Sequence, residues 1–388
     1  MIIENEIISH CEYLKCSNCG ELYPVEQINT FCKVCVKAPL LAVYSTGGLN
    51  KTSIDKSERS MWRYLSMLPV FDKRNIVSLG EGFTPILDLK STADKLGVVS
   101  VLMKDESLNP TGSFKARGMS MAISKAKELG IRKCIVPTAG NAGGAMAAYC
   151  AKAGMEAVVV MPRHTPAAFM HEVGIFGAEL VLVDGLISDC AKKVREINVD
   201  GEYFDMSTMK EPYRLEGKKT MGYEIAEQLN WTLPDVILYP TGGGTGLIGM
   251  WKAFDEMIEM GWIPARRPRM IAVQAENCQP IVETWKGSQA DASNYKGRPT
   301  LANGLAVPNP FAEKMILNVL KESGGRPIAI SENDIAASQR EVGRTEGVFI
   351  APEGAALFVA LQKMIALNEI RSSENVLLLN TGSGYKYI

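Results

Sequence analysis

From about residue 100 onward, short apolar runs alternate with helix-period segments, and that alternation restricts the fold of this chain more than any other feature. A strand-like run at 99–103 leads to a helical pattern over 114–129, the run 134–137 to a helix over 141–153, 157–161 to one over 166–176, and 179–183 to one over 187–197. Parallel strands joined by crossover helices are written this way, because each strand is covered on both faces. A second alternating set runs from 236–239 through 270–274 to 376–379. The two sets predict an α/β protein of two doubly wound parallel-sheet domains, with a ligand crevice between them at strand carboxyl ends. At 388 residues the chain exceeds the usual reach of one core, which agrees with two domains plus a small appendage.

The segment Asn109-Pro-Thr-Gly-Ser-Phe-Lys-Ala-Arg-Gly118 presents Lys115 at a turn-rich junction where a helix begins. Burial and the positive end of a helix dipole both disfavour the ammonium, so a lysine there is partly neutral and nucleophilic near pH 7. Such an amine condenses with aldehydes. Alone, the Ser-Phe-Lys tripeptide favours a surface lysine in a first helical turn. Three further loops decide between the two. In Pro137-Thr-Ala-Gly-Asn-Ala-Gly-Gly144, amides at a helix start and the Thr138 hydroxyl suit a carboxylate, and the Asn141 amide suits a phenolic oxygen. In Thr241-Gly-Gly-Gly-Thr-Gly246, glycines allow close backbone approach to a phosphate at the N-terminus of the next helix. Asn380-Thr-Gly-Ser-Gly-Tyr385 offers a hydroxyl to an uncharged pyridine nitrogen. An activated lysine, a carboxylate cradle and a phosphate cup together imply pyridoxal phosphate.

A dinucleotide fold is the competing reading, because Gly244-Thr-Gly-Leu-Ile-Gly249 matches G-x-G-x-x-G after a strand and Glu276 closes the next apolar run. The acid stands about ten residues beyond the usual spacing of roughly 20, and the lone motif leaves the Lys115 and Asn141 segments without a role.

Taken together, Leu79-Gly-Glu-Gly-Phe-Thr-Pro85, Lys104-Asp-Glu, the Lys115 segment, the Asn141 loop, Arg214-Leu-Glu-Gly-Lys-Lys-Thr220, the 242–246 loop and the terminal Thr-Gly-Ser-Gly follow one another as in fold type II pyridoxal-phosphate enzymes. Within that group the chain most resembles the threonine synthase family, from about Met61-Trp-Arg-Tyr to its C-terminus. The resemblance implies that Lys115 carries the cofactor and moves protons. It implies that Asn141 holds the phenolic oxygen, that Gly242, Gly243, Gly244, Thr245 and Gly246 bind the cofactor phosphate, and that Thr381 faces the pyridine nitrogen, unless Ser383 does so instead. Thr138, Ala139 and Gly140 are expected on the substrate carboxylate, with Thr84 also on the substrate and Arg214 on its phosphate. The implied reaction turns O-phosphohomoserine and water into threonine and phosphate, and a threonine or serine dehydratase is the nearest alternative. The implied organisation is an N-terminal segment 1–48, a large cofactor domain of 49–136 with 215–388, and a small domain 137–214, in a homodimer. Three positions depart from the family pattern. Ala116 follows the lysine where Asp is usual, the glycine loop lacks asparagine, and the chain ends Thr381-Gly-Ser-Gly-Tyr-Lys-Tyr387 where Thr-Gly-His-Gly-Leu-Lys-Asp is common.

Cys16-x-x-Cys19 and Cys32-x-x-Cys35 lie twelve residues apart, the spacing of two knuckles that close a four-thiolate structural zinc site. Reduced thiols without metal are the plain alternative. Cys11, Cys134, Cys150, Cys190 and Cys278 are scattered and expected to pack, and His164 and His171 are expected at the surface. With 42 basic against 43 acidic residues the net charge is −1, which gives no footprint for nucleic acid or an anionic membrane. No apolar run approaches the roughly 20 residues of a membrane span, and no charged-then-apolar leader opens the sequence, so a cytoplasmic setting with an amino acid as partner is expected.

Overall fold

The computed structural model describes residues 8–35 and 38–388. Residues 1–7 and 36–37, part of the expected N-terminal ribbon, lie outside the described residues.

Two sheets carry the alternation. The larger has six strands in the order Arg326–Ile330, Arg269–Ala275, Val236–Pro240, Asn375–Asn380, Ser100–Asp105 and Ile86–Asp88. All neighbours are parallel except the last pair, where Ile86–Asp88 closes one edge antiparallel. The smaller sheet is parallel throughout, in the order Glu179–Val183, Glu156–Pro162, Lys133–Pro137 and Phe204–Asp205. Central strands read as unbroken apolar runs because both faces are covered, and Val236, Ile237 and Leu238 are all fully buried. Ile86–Asp88 is too short to carry a pattern, and Arg326–Ile330 contains Pro327, which argues against a strand in sequence. Strand Lys133–Pro137 pairs within the four-stranded sheet, so a chain division after residue 136 passes through the end of that strand.

Helices Lys115–Glu128, Tyr213–Gln228 and Thr245–Glu259 pack at backbone distance behind the sheet ends. A Cβ on Gly217 would lie 2.1 Å from the Arg117 carbonyl oxygen, and one on Gly118 would lie 3.0 Å from that of Arg214. The glycine of Arg-Leu-Glu-Gly therefore sets how closely the Lys115 helix is held. Gly249, the last glycine of the dinucleotide-like motif, serves the same packing, since its Cβ would meet the Lys219 nitrogen at 3.0 Å.

The stretch Met61–Met67, where the family resemblance begins, is a 3₁₀ segment with non-helical Tyr64. Met61, Trp62, Arg63, Tyr64 and Met67 are all buried, and partners on several sides override a one-faced helical period. Trp62 Nε1 donates to Glu81 Oε1 at 2.9 Å, and the Tyr64 hydroxyl to Glu227 Oε2 at 2.6 Å.

The N-terminal appendage is a three-stranded antiparallel sheet of Leu22–Tyr23, Cys11–Cys16 and Leu40–Tyr44. Its buried residues continue into the cluster around Trp62 and Met119, and the Tyr44 hydroxyl donates to Glu216 Oε2 at 2.7 Å. The five scattered cysteines are buried and the two histidines exposed. Among the described residues, no helix is long and apolar enough to cross a membrane.

Candidate active site

Loops at the carboxyl ends of strands from both sheets converge on one cleft. Ten of the predicted residues line it: Lys115, Thr138, Ala139, Gly140, Asn141, Gly242, Gly243, Gly244, Thr245 and Thr381. Segments more than 260 residues apart in sequence meet through backbone bonds. The Phe114 N–H donates to the Thr381 carbonyl at 3.1 Å, and the Ser383 N–H to that of Gly112 at 3.0 Å. This short ladder fixes the Lys115 turn against the C-terminal loop. Thr381 consequently faces the cleft, while Ser383 does not line it and accepts from the Tyr385 N–H at 3.3 Å.

Lys115 opens the helix Lys115–Glu128, whose capping position is held by Phe114 with no side-chain cap. Its pKa falls to about 7, chiefly through desolvation, with further lowering by the Arg214 charge and partial compensation by Glu353. A lysine with that value is a nucleophile and a proton acceptor at neutral pH.

Across the cleft, helix Asn141–Ala153 follows Gly140, whose N–H donates to the Thr138 hydroxyl at 3.2 Å. Asn141 Oδ1 is buried without a partner. On the third side, Gly244 has φ +72° at the entry to helix Thr245–Glu259, a conformation glycine adopts without strain. A Cβ on Gly242 would lie 2.4 Å from the Gly304 carbonyl, so the cup exists only with bare backbone there.

Three predicted residues lie outside the lining. Gly246 packs beneath Tyr239, where a Cβ would come within 2.2 Å of the phenolic oxygen. The Thr84 hydroxyl donates to Glu106 Oε1 at 2.7 Å and its carbonyl accepts from Lys104 Nζ at 2.6 Å, which ties it to a buried ion network outside the lining. Arg214 also stands outside the lining. It is buried behind the cleft with Nη1 donating to the Met206 carbonyl, and its Nε and Nη2 have no partner. Its influence in this structure is its field on Lys115.

Sequence reasoning missed Glu353, Thr208 and the 303–307 loop, all of which line the cleft. Glu353 is buried, accepts from the Gly304 N–H at 2.6 Å and the Tyr387 hydroxyl at 2.8 Å through Oε1, and leaves Oε2 without a partner. Burial raises its pKa. Pro352 marks the helix start in sequence, but nothing in the pattern shows which way the next carboxylate points.

The four ribbon thiols form a second constellation. All four sulfurs of Cys16, Cys19, Cys32 and Cys35 lie within 4.8 Å of one another, and Cys19 Sγ stands 3.7 Å from Cys32 Sγ. Tetrahedral Zn–S bonds of about 2.3 Å would separate sulfurs by about 3.8 Å. The Cys35 N–H and the Tyr23 hydroxyl donate to Cys32 Sγ at 3.2 and 3.3 Å, and the Asn18 N–H to Cys16 Sγ at 3.4 Å, contacts that favour thiolates. The donor set fits zinc.

The family model described as pyridoxal-phosphate dependent enzyme matches residues 77–382, a span that holds every lining loop of the cleft. The chain belongs to this pyridoxal-phosphate dependent enzyme family. Curated relatives carry the likeness over nearly their whole lengths. A threonine synthase of Methanocaldococcus jannaschii is 32% identical over 96% of this chain and 92% of its own, and one of Methanosarcina acetivorans is 33% identical over 95% and 91%. Among solved structures, maize serine racemase superposes with a TM-score of 0.65 at 20% identity over 78% of this chain and 88% of its own. Diaminopropionate ammonia lyase from Escherichia coli does so with 0.67 at 18%, over 87% and 91%. These two show the shared fold. A family member needs an amine for the cofactor aldehyde and a seat for its phosphate, and Lys115 and the 242–245 cup fit those demands.

Proposed function

We propose that this pyridoxal-phosphate dependent enzyme is a threonine synthase, converting O-phosphohomoserine and water to threonine and phosphate. The observation that carries the proposal is the placement of Lys115, at a pKa of about 7, between the Thr138–Asn141 cradle and the glycine cup. The similarity to threonine synthases over nearly full length supports the substrate. When bound, pyridoxal phosphate supplies an aldehyde for amines and a ring that accepts the electron pair of a broken C–H bond.

The chain's own residues do the rest. Gly242, Gly243, Gly244 and Thr245 hold the phosphate, with Gly246 keeping that helix start close to Tyr239. Asn141 holds the phenolic oxygen, and Thr381, a neutral hydroxyl, meets the ring nitrogen. Thr138 with the amides of Ala139 and Gly140 orients the substrate carboxylate. Lys115 Nζ accepts and returns the protons that leave and rejoin the substrate carbons. Arg214 contributes positive charge behind the cleft. We place the enzyme in the cytoplasm as a homodimer, with zinc on the four ribbon thiolates.

Arg214's position behind the cleft favours a second reading, a threonine or serine dehydratase, which needs the same lysine, cup and cradle but no seat for a substrate phosphate. Purified holoenzyme given O-phosphohomoserine, threonine or serine separates the two. Phosphate release with threonine formation supports the synthase, and keto acid formation from threonine or serine alone sinks it.

A further inference from the structure

Among the described residues, four lysines are completely or almost completely buried outside the cleft lining: Lys104, Lys125, Lys218 and Lys219. Three of them are paired with carboxylates, Lys104 with Glu224 at 2.8 Å, Lys125 with Glu128 at 2.6 Å and Lys219 with Glu216 at 2.7 Å. Lys218 differs. Among the described residues its only hydrogen bond goes to the Thr245 hydroxyl, at 2.8 Å, and its ammonium lies 4.8 Å above the Phe114 ring. An isolated buried ammonium is costly, so a buried lysine without an acid either loses its proton or awaits an anion.

Its surroundings are short of negative charge. The charged groups that face Lys218 are Lys115 on helix Lys115–Glu128, Arg214 on its own helix and Glu211 in the preceding turn. Helix Thr245–Glu259 presents the Thr245 hydroxyl. Glu211 is itself held up at about 7 by burial, so it supplies at most part of one negative charge at neutral pH. The nearby network of Lys104, Arg117, Glu106 and Glu224 balances two cations with two anions. Arg214 has Glu211 4.0 Å from its Nε, and Lys115 feels Glu353, but no carboxylate bonds Lys218 among the described residues. The positive end of helix Thr245–Glu259 points from the same place into the glycine cup.

We propose that Lys218 is the countercharge of the phosphate seated in the 242–245 cup, a positioning residue that acts through Thr245. The inference rests on the reading of the cleft as a cofactor site. Its consequence is a proton linkage. Burial, with repulsion from Lys115 and Arg214, pushes the Lys218 pKa well below that of a free lysine. A phosphate dianion at Thr245 favours the ammonium again, so the phosphate enters together with a proton.

The test uses the protein stripped of cofactor and titrated by calorimetry at about pH 7.5, in two buffers of different ionisation heat, where phosphate monoesters are mostly dianions. The probes are 4′-deoxypyridoxine 5′-phosphate, which lacks the aldehyde and cannot condense with Lys115, and 4′-deoxypyridoxine, which lacks the phosphate as well. Wild-type protein is expected to take up about one proton more with the phosphorylated probe. Lys218→Met should lose that uptake and bind the phosphorylated probe roughly ten- to a hundredfold more weakly. Lys218→Arg, charged at all times, should restore affinity without proton uptake, which a purely structural lysine would not do. Equal uptake and affinity in wild type and Lys218→Met would overturn the proposal, as would equal uptake for the two probes in wild type, a result that needs no variant to fold. If wild type binds neither probe and shows no visible band with pyridoxal phosphate, the cofactor reading itself falls.

Discussion

Arg117 forks onto Glu224, with Nη1 to Oε1 at 2.5 Å and Nη2 to Oε2 at 2.7 Å, and neither side chain has any exposure. The same guanidinium reaches Glu106 through Nε and Nη2 at 2.6 and 2.7 Å, so one residue two positions after Lys115 ties its helix both to helix Tyr213–Gln228 and to the end of strand Ser100–Asp105.

Arg117→Met should therefore cost about 3–5 kcal/mol of stability, because it leaves two carboxylates facing one lysine in a dry interior. Glu224 is held down at about 2; burial alone would raise it, and the Arg117 and Lys104 charges outweigh that. A carboxylate depressed in the folded state stabilises above its unfolded pKa of about 4.3 and loses that contribution as pH falls toward 2. Denaturant unfolding as a function of pH should show the wild type weakening over this acid window and Arg117→Met weakening less, since its Glu224 no longer has the same pair to lose.

Lys115 predicts a pH profile. With its pKa at about 7, the rate at which stripped protein develops the visible band of bound pyridoxal phosphate should rise with pH through about 7 and level off above it. Glu353 acts in the opposite sense to burial at Lys115, so Glu353→Gln should move that midpoint downward. Lys115→Ala should give no band from covalent attachment at any pH. An unmoved midpoint in Glu353→Gln would show that its carboxyl is neutral across the titration.

The loops that make the cleft were legible because their chemistry is local. Glycine and threonine directly after an apolar run state both the turn and the exposed amides, and ten residues read this way line one cavity. Thr84 and Arg214 stand outside the lining for one reason. They sit in motifs beside the lining loops, yet their side chains turn inward, to Glu106 and to the Met206 carbonyl. Side-chain direction at the end of a buried helix depends on what packs there, and sequence spacing holds no record of it. Glu353 and the 303–307 loop were missed for the converse reason. Helix Pro352–Ala366 packs on the adjacent strands Asn375–Asn380 and Val236–Pro240, and the loop meets it through the Gly304 N–H on Glu353. Tyr385, which stands where the family pattern has Leu, is largely exposed against Phe349, while Tyr387 reaches Glu353.

The ribbon should bind one zinc per chain, counted by elemental analysis of protein purified without chelators. Because its core continues into Trp62 and Met119, removing the metal should lower the thermal midpoint of the whole chain and not of a separate small transition. Cys32→Ser should do the same with intact cofactor absorbance, since the four thiols lie outside the cleft lining. A metal-free protein with unchanged melting would leave the cluster as reduced thiols.

Arg214 separates a field effect from a grip. It lowers the Lys115 pKa, and its Nε and Nη2 donate to nothing in this structure. Arg214→Met should move the Lys115 midpoint upward, and Arg214→Lys, which keeps a charge but not the Nη1 bond to the Met206 carbonyl, should move it less. If the field is its whole contribution, KM for O-phosphohomoserine should rise only a few-fold in either variant, the scale of one cation acting at a distance. Loss of roughly a hundredfold or more in KM, unrescued by lysine, would mean that the guanidinium turns from Met206 to the substrate phosphate during turnover, with the bidentate geometry that lysine lacks.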